Sequence, residues 1–413
     1  MDKNDVSTAH DRHLKLLAQF AVHSGSDIKA GQDVFLSGPL EARPLMIEIV
    51  KECYKAGCRY VSHNYSDAEF NELRVNYSNT EFHNYHPNWF YDGLSRAYET
   101  GTARIAITGE APLDFSPELL GAVAQINRSR SVAYKPAGQK ISDNKTNWCI
   151  VPYPTKNWAR RVYPEKDDLG AVEALWGHFI DILSLDDDDP LATWRAHNSA
   201  LETRRDTLQR MSLEELLFES ESTKLRVGLV TEHKWCGGRT KFPNGSFGNT
   251  NIPSFEVFTC PDALRVDGHV KFTKPISLSG RTLTDVTAIF ESGALLDLRS
   301  DQDGIGLLRS LTKTDEGAAR LGEVALVPNS SPISATKRIF YNTLFDENAS
   351  SHIAFGQSFR RSYVSSSESQ TVPGANQSTI HQDCMIGSSD MTVTGIGKNG
   401  TEFQIMKDGE FVI

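Results

Sequence analysis

The apolar runs of this chain change rhythm once, and that change limits the folds open to it. Up to Glu165, short apolar runs alternate with longer amphipathic ones. Asp33-Val-Phe-Leu-Ser37 is bounded by Gly31 and Gly38, as a buried strand is. Glu41 to Ala56 then spaces Leu45, Ile47, Ile49, Val50 and Cys53 as a helix does, and Gly57 ends it. Arg59-Tyr-Val-Ser62, Ala103-Arg-Ile-Ala-Ile-Thr108 and Trp148-Cys-Ile-Val151 read as further strands, with a helix predicted over 116–128. Strands alternating with helices of this length specify a doubly wound, mainly parallel sheet.

From Leu225 onward the pattern is strand and turn. Val286 to Phe290 and Ala294 to Leu298 form a predicted hairpin around Ser292-Gly293, and Asn399-Gly400 and Asp408-Gly409 mark two more turns near the carboxy terminus. A helix is predicted over Thr314 to Leu321. Between the two regions lie amphipathic helices over 169–185 and 190–211, separated by Asp186-Asp187-Asp188-Asp189-Pro190. Four consecutive Asp read as a solvated loop that caps the next helix, because Asp favours helix N-termini and Pro190 suits a first helical position. The expected organisation is therefore an α/β domain over 1–165, a helical connection over 166–224, and a β-rich α+β domain over 225–413 that carries the chemistry.

At 413 residues, two domains are the default expectation. A formal charge of −10 argues against a nucleic-acid partner. No stretch approaches the length of a membrane span. The opening residues Met1 to Asp5 lack the basic and then apolar segments of a secretory signal. The cysteines (Cys53, Cys58, Cys149, Cys236, Cys260, Cys384) are scattered and read as reduced thiols. A cytoplasmic protein is expected.

The last third gathers acids and imidazoles inside apolar or small-residue runs. Glu256 sits in Ser254-Phe-Glu-Val-Phe258 and Glu323 in Leu321-Gly-Glu-Val-Ala-Leu-Val327. A buried carboxylate needs a cation, a basic partner or a proton, whereas a strand edge would simply turn the Glu outward by alternation. His352 is flanked by small residues, and His381 and Asp383, two apart, share a face of any extended segment. Two His and three carboxylates suit Zn²⁺, Mn²⁺, Co²⁺ or Fe²⁺. Other candidates carry less. Gly304-Ile-Gly306 lacks the third glycine of a dinucleotide loop, His83 and His86 read as loop residues, and His233 to Gly238 reads equally well as a turn.

Four segments resemble the thermophilic metallo-aminopeptidases: Ser254 to Thr259, Thr314 to Val327, Asn342 to Ala354, and Ser378 to Gly387. The similarity continues through Gly31-Gln-Asp-Val34 and Tyr60-Val61 and so covers nearly the whole chain. The resemblance implies an α/β amino-terminal domain, a catalytic carboxy-terminal domain and a homodimer. It also implies two divalent metal ions on Glu256, Glu323, His352, His381 and Asp383. The implied reaction is release of the N-terminal residue of a peptide by metal-activated water, with Glu256 and Glu323 as catalytic carboxylates. This sequence departs from the family pattern twice. Phe255 replaces the first of two adjacent glutamates, and Phe359 stands where the family carries a tyrosine, with Tyr363 the next hydroxyl along the chain.

Two other readings use the same residues. His352, His381 and Asp383 alone would form the two-His-one-carboxylate triad of a non-haem iron oxygenase, and some ring-cleaving dioxygenases of dihydroxypyridine breakdown look similar to this family. Retention of both Glu256 and Glu323 favours the dinuclear peptidase, since an iron triad has no need of them. Phe255 and Phe359 leave a third reading, a metal-binding protein without peptidase activity.

Overall fold

The computed structural model describes residues 3–109, 115–278, 281–302, 304–365 and 372–413. Two compact units make up the chain, Met1–Trp194 with Arg239–Ile252, and Arg195–Gly238 with Pro253–Ile413.

In the first unit the four apolar runs become β1 (Asp33–Pro39), β2 (Tyr60–Ser66), β3 (Ala103–Thr108) and β4 (Trp148–Pro152). All pair in parallel, in the order β2-β1-β3-β4. Parallel neighbours need crossovers, and helices supply them. Arg43–Lys55 joins β1 to β2, Ala68–Tyr77 and Asn88–Glu99 lie between β2 and β3, and Leu120–Ser142 joins β3 to β4. The last of these starts later than the predicted 116–128 and runs through Pro136. Packing carries it past the lost backbone hydrogen bond, because Ala137 and Ile141, beyond the proline, are buried with Leu94 and Tyr98. The acidic run caps a helix, as expected: the Asp189 carboxylate accepts from the Ala192 N–H at 2.9 Å, and Asp187 from the Thr193 hydroxyl at 2.7 Å.

The strands of the second unit begin with the hairpin β5 (Leu213–Ser220) and β6 (Thr223–Leu229). A two-residue ladder, β7 (Thr240–Lys241) with β8 (Phe247–Gly248), belongs to the stretch assigned to the first unit. There follow β9 (Val257–Thr259), β10 (Pro261–Lys271), the ladder β11 (Ile276–Leu278) with β12 (Arg281–Leu283), and the hairpin β13 (Thr287–Glu291) with β14 (Ala294–Arg299). β15 (Leu321–Leu326), β16 (His352–Gly356), β17 (His381–Met385), β18 (Thr392–Gly397), β19 (Glu402–Lys407) and β20 (Glu410–Phe411) complete the unit. One antiparallel sheet has the order β14-β13-β10-β6-β5-β18-β19-β20, and another the order β17-β16-β15-β9. An α/β unit with a parallel sheet and a β-rich unit are thus both present.

The expected turns form. Ser292 and Gly293 (φ 49° and 78°), and Asp408 and Gly409 (φ 50° and 74°), are left-handed pairs, which match the twist of the strands they join. The helix predicted over Thr314 to Leu321 shrinks to a single 3-10 turn, Glu316–Ala319. Its carbonyls are committed elsewhere: the Asn376 amide donates to Gly317 O at 2.8 Å and to Arg320 O at 3.1 Å. Asp315 is anchored as well, accepting from the Ser378 hydroxyl and the Thr379 N–H, each at 2.7 Å.

Register sorts the smaller sheet into two faces. Val324 pairs with Ile353, and Ile353 with Cys384, so these three share a face. That face enters the core with Val227, Val270 and Phe290. Phe355 stacks on Phe290, ring centroids 5.8 Å apart and planes 24° apart. Among the described residues, no helix is long and apolar enough to cross a membrane.

Candidate metal centre

The opposite face of that sheet carries the acids and imidazoles. Glu323 pairs with Ala354 and Ala354 with Asp383, while Ala325 pairs with both His352 and Phe258, and Gly356 pairs with His381. Alternation therefore sets Glu323, His352, His381 and Asp383 on one face, and Glu256, two residues before Phe258, joins them. All five sequence-predicted residues converge.

They converge as two groups with one shared member: Glu256, Glu323 and His352, and Glu323, His381 and Asp383. His352 Nε2 lies 3.4 Å from Glu256 Oε2 and 3.8 Å from Glu323 Oε1. His381 Nε2 lies 3.4 Å from Glu323 Oε2 and 3.3 Å from Asp383 Oδ1. Glu323 thus turns one oxygen toward each imidazole. The two histidines fall in different groups, so the iron-type set of His352, His381 and Asp383 does not close on one point. Four of the five are buried, whereas the His381 side chain keeps 23 % of its surface exposed and lies on the open side.

Supporting bonds orient both rings. His352 Nδ1 meets Ser350 O at 3.2 Å, and His381 Nδ1 meets Gln357 O at 2.9 Å. A carbonyl can only accept, so each Nδ1 donates to it, and Nε2 is the nitrogen that faces the acids and would be the one to take a metal, the arrangement common to metal-binding imidazoles. Glu256 Oε2 is buried with no hydrogen-bond partner, although it faces His352. An orphaned buried carboxylate oxygen among imidazole and carboxylate donors fits a divalent cation.

The electrostatics agree. Burial pushes the Glu256 carboxyl up to about 7, against the pull of His352. Burial also opposes ionisation of Glu323, but the two imidazoles overcome it and hold its carboxyl at about 2. His352 is raised to about 10, because Glu323, Glu256 and Asp383 outweigh the cost of burying its charge. His381 is raised well above its ordinary value in the same way, with Asp383 and Glu323 overcoming burial.

Sequence reasoning missed two neighbours. Glu347, in the 3-10 turn Glu347–Ala349, is raised well above the usual carboxylate range by burial and by the charges of Glu256 and Asp383. The acidic pair Asp346-Glu347, between Leu344-Phe345 and the small residues that follow, marks the place without saying which member faces the site. Asp346 is the structural member, accepting from the Phe340 N–H at 2.8 Å and the Asn342 N–H at 3.0 Å. The second neighbour is Arg361, whose guanidinium lies over Phe258 and Phe359.

The two departures from the expected pattern are also placed. Phe255 is buried against His197, ring centroids 4.9 Å apart, and its N–H donates to Asn348 Oδ1 at 2.6 Å. The Phe359 ring lies 4.6 Å from the His381 ring and 6.0 Å from Phe258. Tyr363 packs in a small apolar cluster with Val230 and Cys260. His86 lies in the first unit between Arg74 and Ser129, and the His233 Nδ1 meets Val230 O, so each has a local structural role.

The chain as a whole is similar to known proteins. Residues 10–411 match the thermophilic metalloprotease (M29) family. The chain belongs to that family. It is 38% identical over 410 residues to aminopeptidase T of Thermus thermophilus, covering 98% of this chain and 100% of the relative. The solved structure of wild-type AmpT from Thermus thermophilus superposes with a TM-score of 0.90 at 37% identity, covering 97% of this chain and 99% of that one. The solved structure of 2,5-dihydroxypyridine dioxygenase from Pseudomonas putida matches with a TM-score of 0.51 at 10% identity, over 97% of this chain and 96% of that one. That likeness is one of fold alone.

Proposed function

We propose that this chain is a metallo-aminopeptidase that holds two divalent ions, one on Glu256, Glu323 and His352 and the other on Glu323, His381 and Asp383. Membership of a metalloprotease family and near-complete alignment with a named aminopeptidase support the peptidase class. The observation that carries the dinuclear reading is Glu323, with one oxygen toward each imidazole. Zn²⁺, Co²⁺ and Mn²⁺ all suit the donors. Two such ions, when bound, lower the pKa of a shared water and polarise the scissile carbonyl.

The protein's own residues supply the rest. Burial around Glu256, Glu323 and His352 excludes bulk water and strengthens each charge interaction. Glu256 and Glu323 are the carboxylates assigned to accept the proton of the attacking water and return it to the departing amine. Catalysis is assigned to the β-rich segment 225–413, which carries all five candidate ligands, and the α/β domain to 1–165; the connection expected over 166–224 is helical only as far as Arg210, since Leu213–Ser220 is strand β5. The protein is proposed to work in the cytoplasm, a reading supported by six free cysteines.

It is also proposed to form a homodimer. Edge strand β2 and the segment after it expose Tyr60, Phe70, Tyr77 and Trp89, a run of aromatics of the kind that a second copy would cover.

The deciding measurement is release of leucine or arginine from its aminoacyl-nitroanilide by purified protein reconstituted with Zn²⁺, Co²⁺ or Mn²⁺, alongside metal analysis. Two ions per chain and metal-dependent release are expected. No release with any metal would overturn the assignment, and a single ion per chain would overturn the dinuclear part of it.

A further inference from the structure

Four of the five candidate ligands stand in strands, where ladder hydrogen bonds fix the backbone: Glu323 in β15, His352 in β16, and His381 and Asp383 in β17. Glu256 does not. It lies just before β9, in irregular chain, and its position must be set by something other than a ladder.

A side chain from far along the sequence holds that chain. Asn348 Oδ1 accepts from the Phe255 N–H at 2.6 Å, one residue before Glu256. Nδ2 of the same amide donates to Leu344 O at 3.0 Å and to Glu347 Oε1 at 3.4 Å. A peptide N–H can only donate and a carbonyl can only accept, so these partners decide which end of the amide points where. The Asn348 backbone is tied as well, since its carbonyl accepts from the Ser331 hydroxyl at 2.9 Å. Asn348 is fully buried, which keeps solvent from competing for these bonds. His197 fixes the residue before, with Nε2 donating to Ser254 O at 2.8 Å. The turn that carries Asn348, Glu347–Ala349, leads into β16 and His352. One amide therefore joins the chain of Glu256 to the chain of His352, and these two side chains come within 3.4 Å of each other.

We propose that Asn348 is a positioning residue, whose carboxamide holds the Phe255 backbone and so sets the Glu256 carboxylate opposite His352 ahead of ion binding. This deepens the dinuclear reading above and rests on it. Titration of the full-length protein with Co²⁺ against a chelator, followed by cobalt absorption, reads the two ions as separate steps. Asn348→Leu, which fills a similar volume without hydrogen bonding, should weaken one ion about 10- to 100-fold and leave the other within a few-fold. Asn348→Asp keeps the acceptor for Phe255 and should recover most of that loss. A merely structural role would weaken both ions together. Equal weakening of both, no weakening of either, or an Asn348→Asp variant no better than Asn348→Leu would overturn the proposal. Hydrogen exchange in the metal-free wild type tests the contact without any substitution. The Phe255 amide should exchange as slowly as the amides of β15, and exchange at the rate of an exposed loop would overturn the proposal. A wild-type protein that binds a single ion, weakened by Asn348→Leu and with the Phe255 amide protected, would sink the dinuclear reading and leave the role of Asn348 standing.

Discussion

Glu323 offers one oxygen to each imidazole, so its loss should be felt at both groups of ligands. Glu323→Ala is expected to abolish hydrolysis and leave fewer than one ion per chain by metal analysis, whereas Asp383→Asn should weaken one ion and spare the other. Full metal content in Glu323→Ala would remove it from the bridging position. The five candidate ligands were legible in the sequence as a convergent group because each interrupts an apolar or small-residue run, a cost that folding tolerates only where something is gained. Glu347 was not legible, since an acidic pair such as Asp346-Glu347 looks alike whether a member binds backbone or faces a site. Arg361 was hidden for a different reason. Arginine in a surface-like run beside Ser362 and Ser365 gives no hint that its guanidinium lies against two aromatic rings.

At the scale of elements, Gly322 sets where Glu323 points. The register of β15 on β16 shifts between Leu321 and Glu323, and a Cβ at Gly322 would lie 2.2 Å from Gly356 O. Gly322→Ala should therefore displace the strand, lowering metal affinity with every ligand still present, as titration against a chelator would show. Unchanged affinity would mean that the strand absorbs the methyl group. Asn376 is the second element-scale joint. Its amide also donates to Gly356 O at 2.7 Å, so it ties the turn before β15 to the end of β16. Asn376→Ala leaves buried carbonyls without that donor and should cost about 1–3 kcal/mol in denaturant unfolding. Apolar periodicity revealed β1 to β4 and the tight hairpins, because each of those is decided within a few residues. The predicted helix over Thr314 to Leu321 failed because side chains some sixty positions away, Asn376 and Ser378, claim its polar groups. No local pattern reports such partners.

For the molecule as a whole, protons and metal compete for the same nitrogens. His352 is raised to about 10 from 6.5, so in the metal-free protein its ion pairs add stability that is complete below pH 6.5 and is lost as pH rises through 10. An ion must displace that proton, so metal affinity should rise with pH, and binding should release protons. Calorimetry in buffers of different ionisation enthalpy measures that release, and none released would contradict the assigned charge states. The aromatics along β2 and the segment after it predict a concentration-dependent dimer, to which Trp89→Ser and Tyr77→Ser should shift the balance toward monomer in sedimentation. The connection from β9 to β15 has a further consequence. Between these neighbours the chain leaves for the larger sheet, forming β10, β13 and β14 there before it returns. Strand β17, which brings the last two candidate ligands, is made after β16 and more than fifty residues after β15. A polypeptide emerging from the ribosome therefore has all five of these side chains only once Asp383 has been made. A product truncated before His381 would lack two of the five and one whole group of donors.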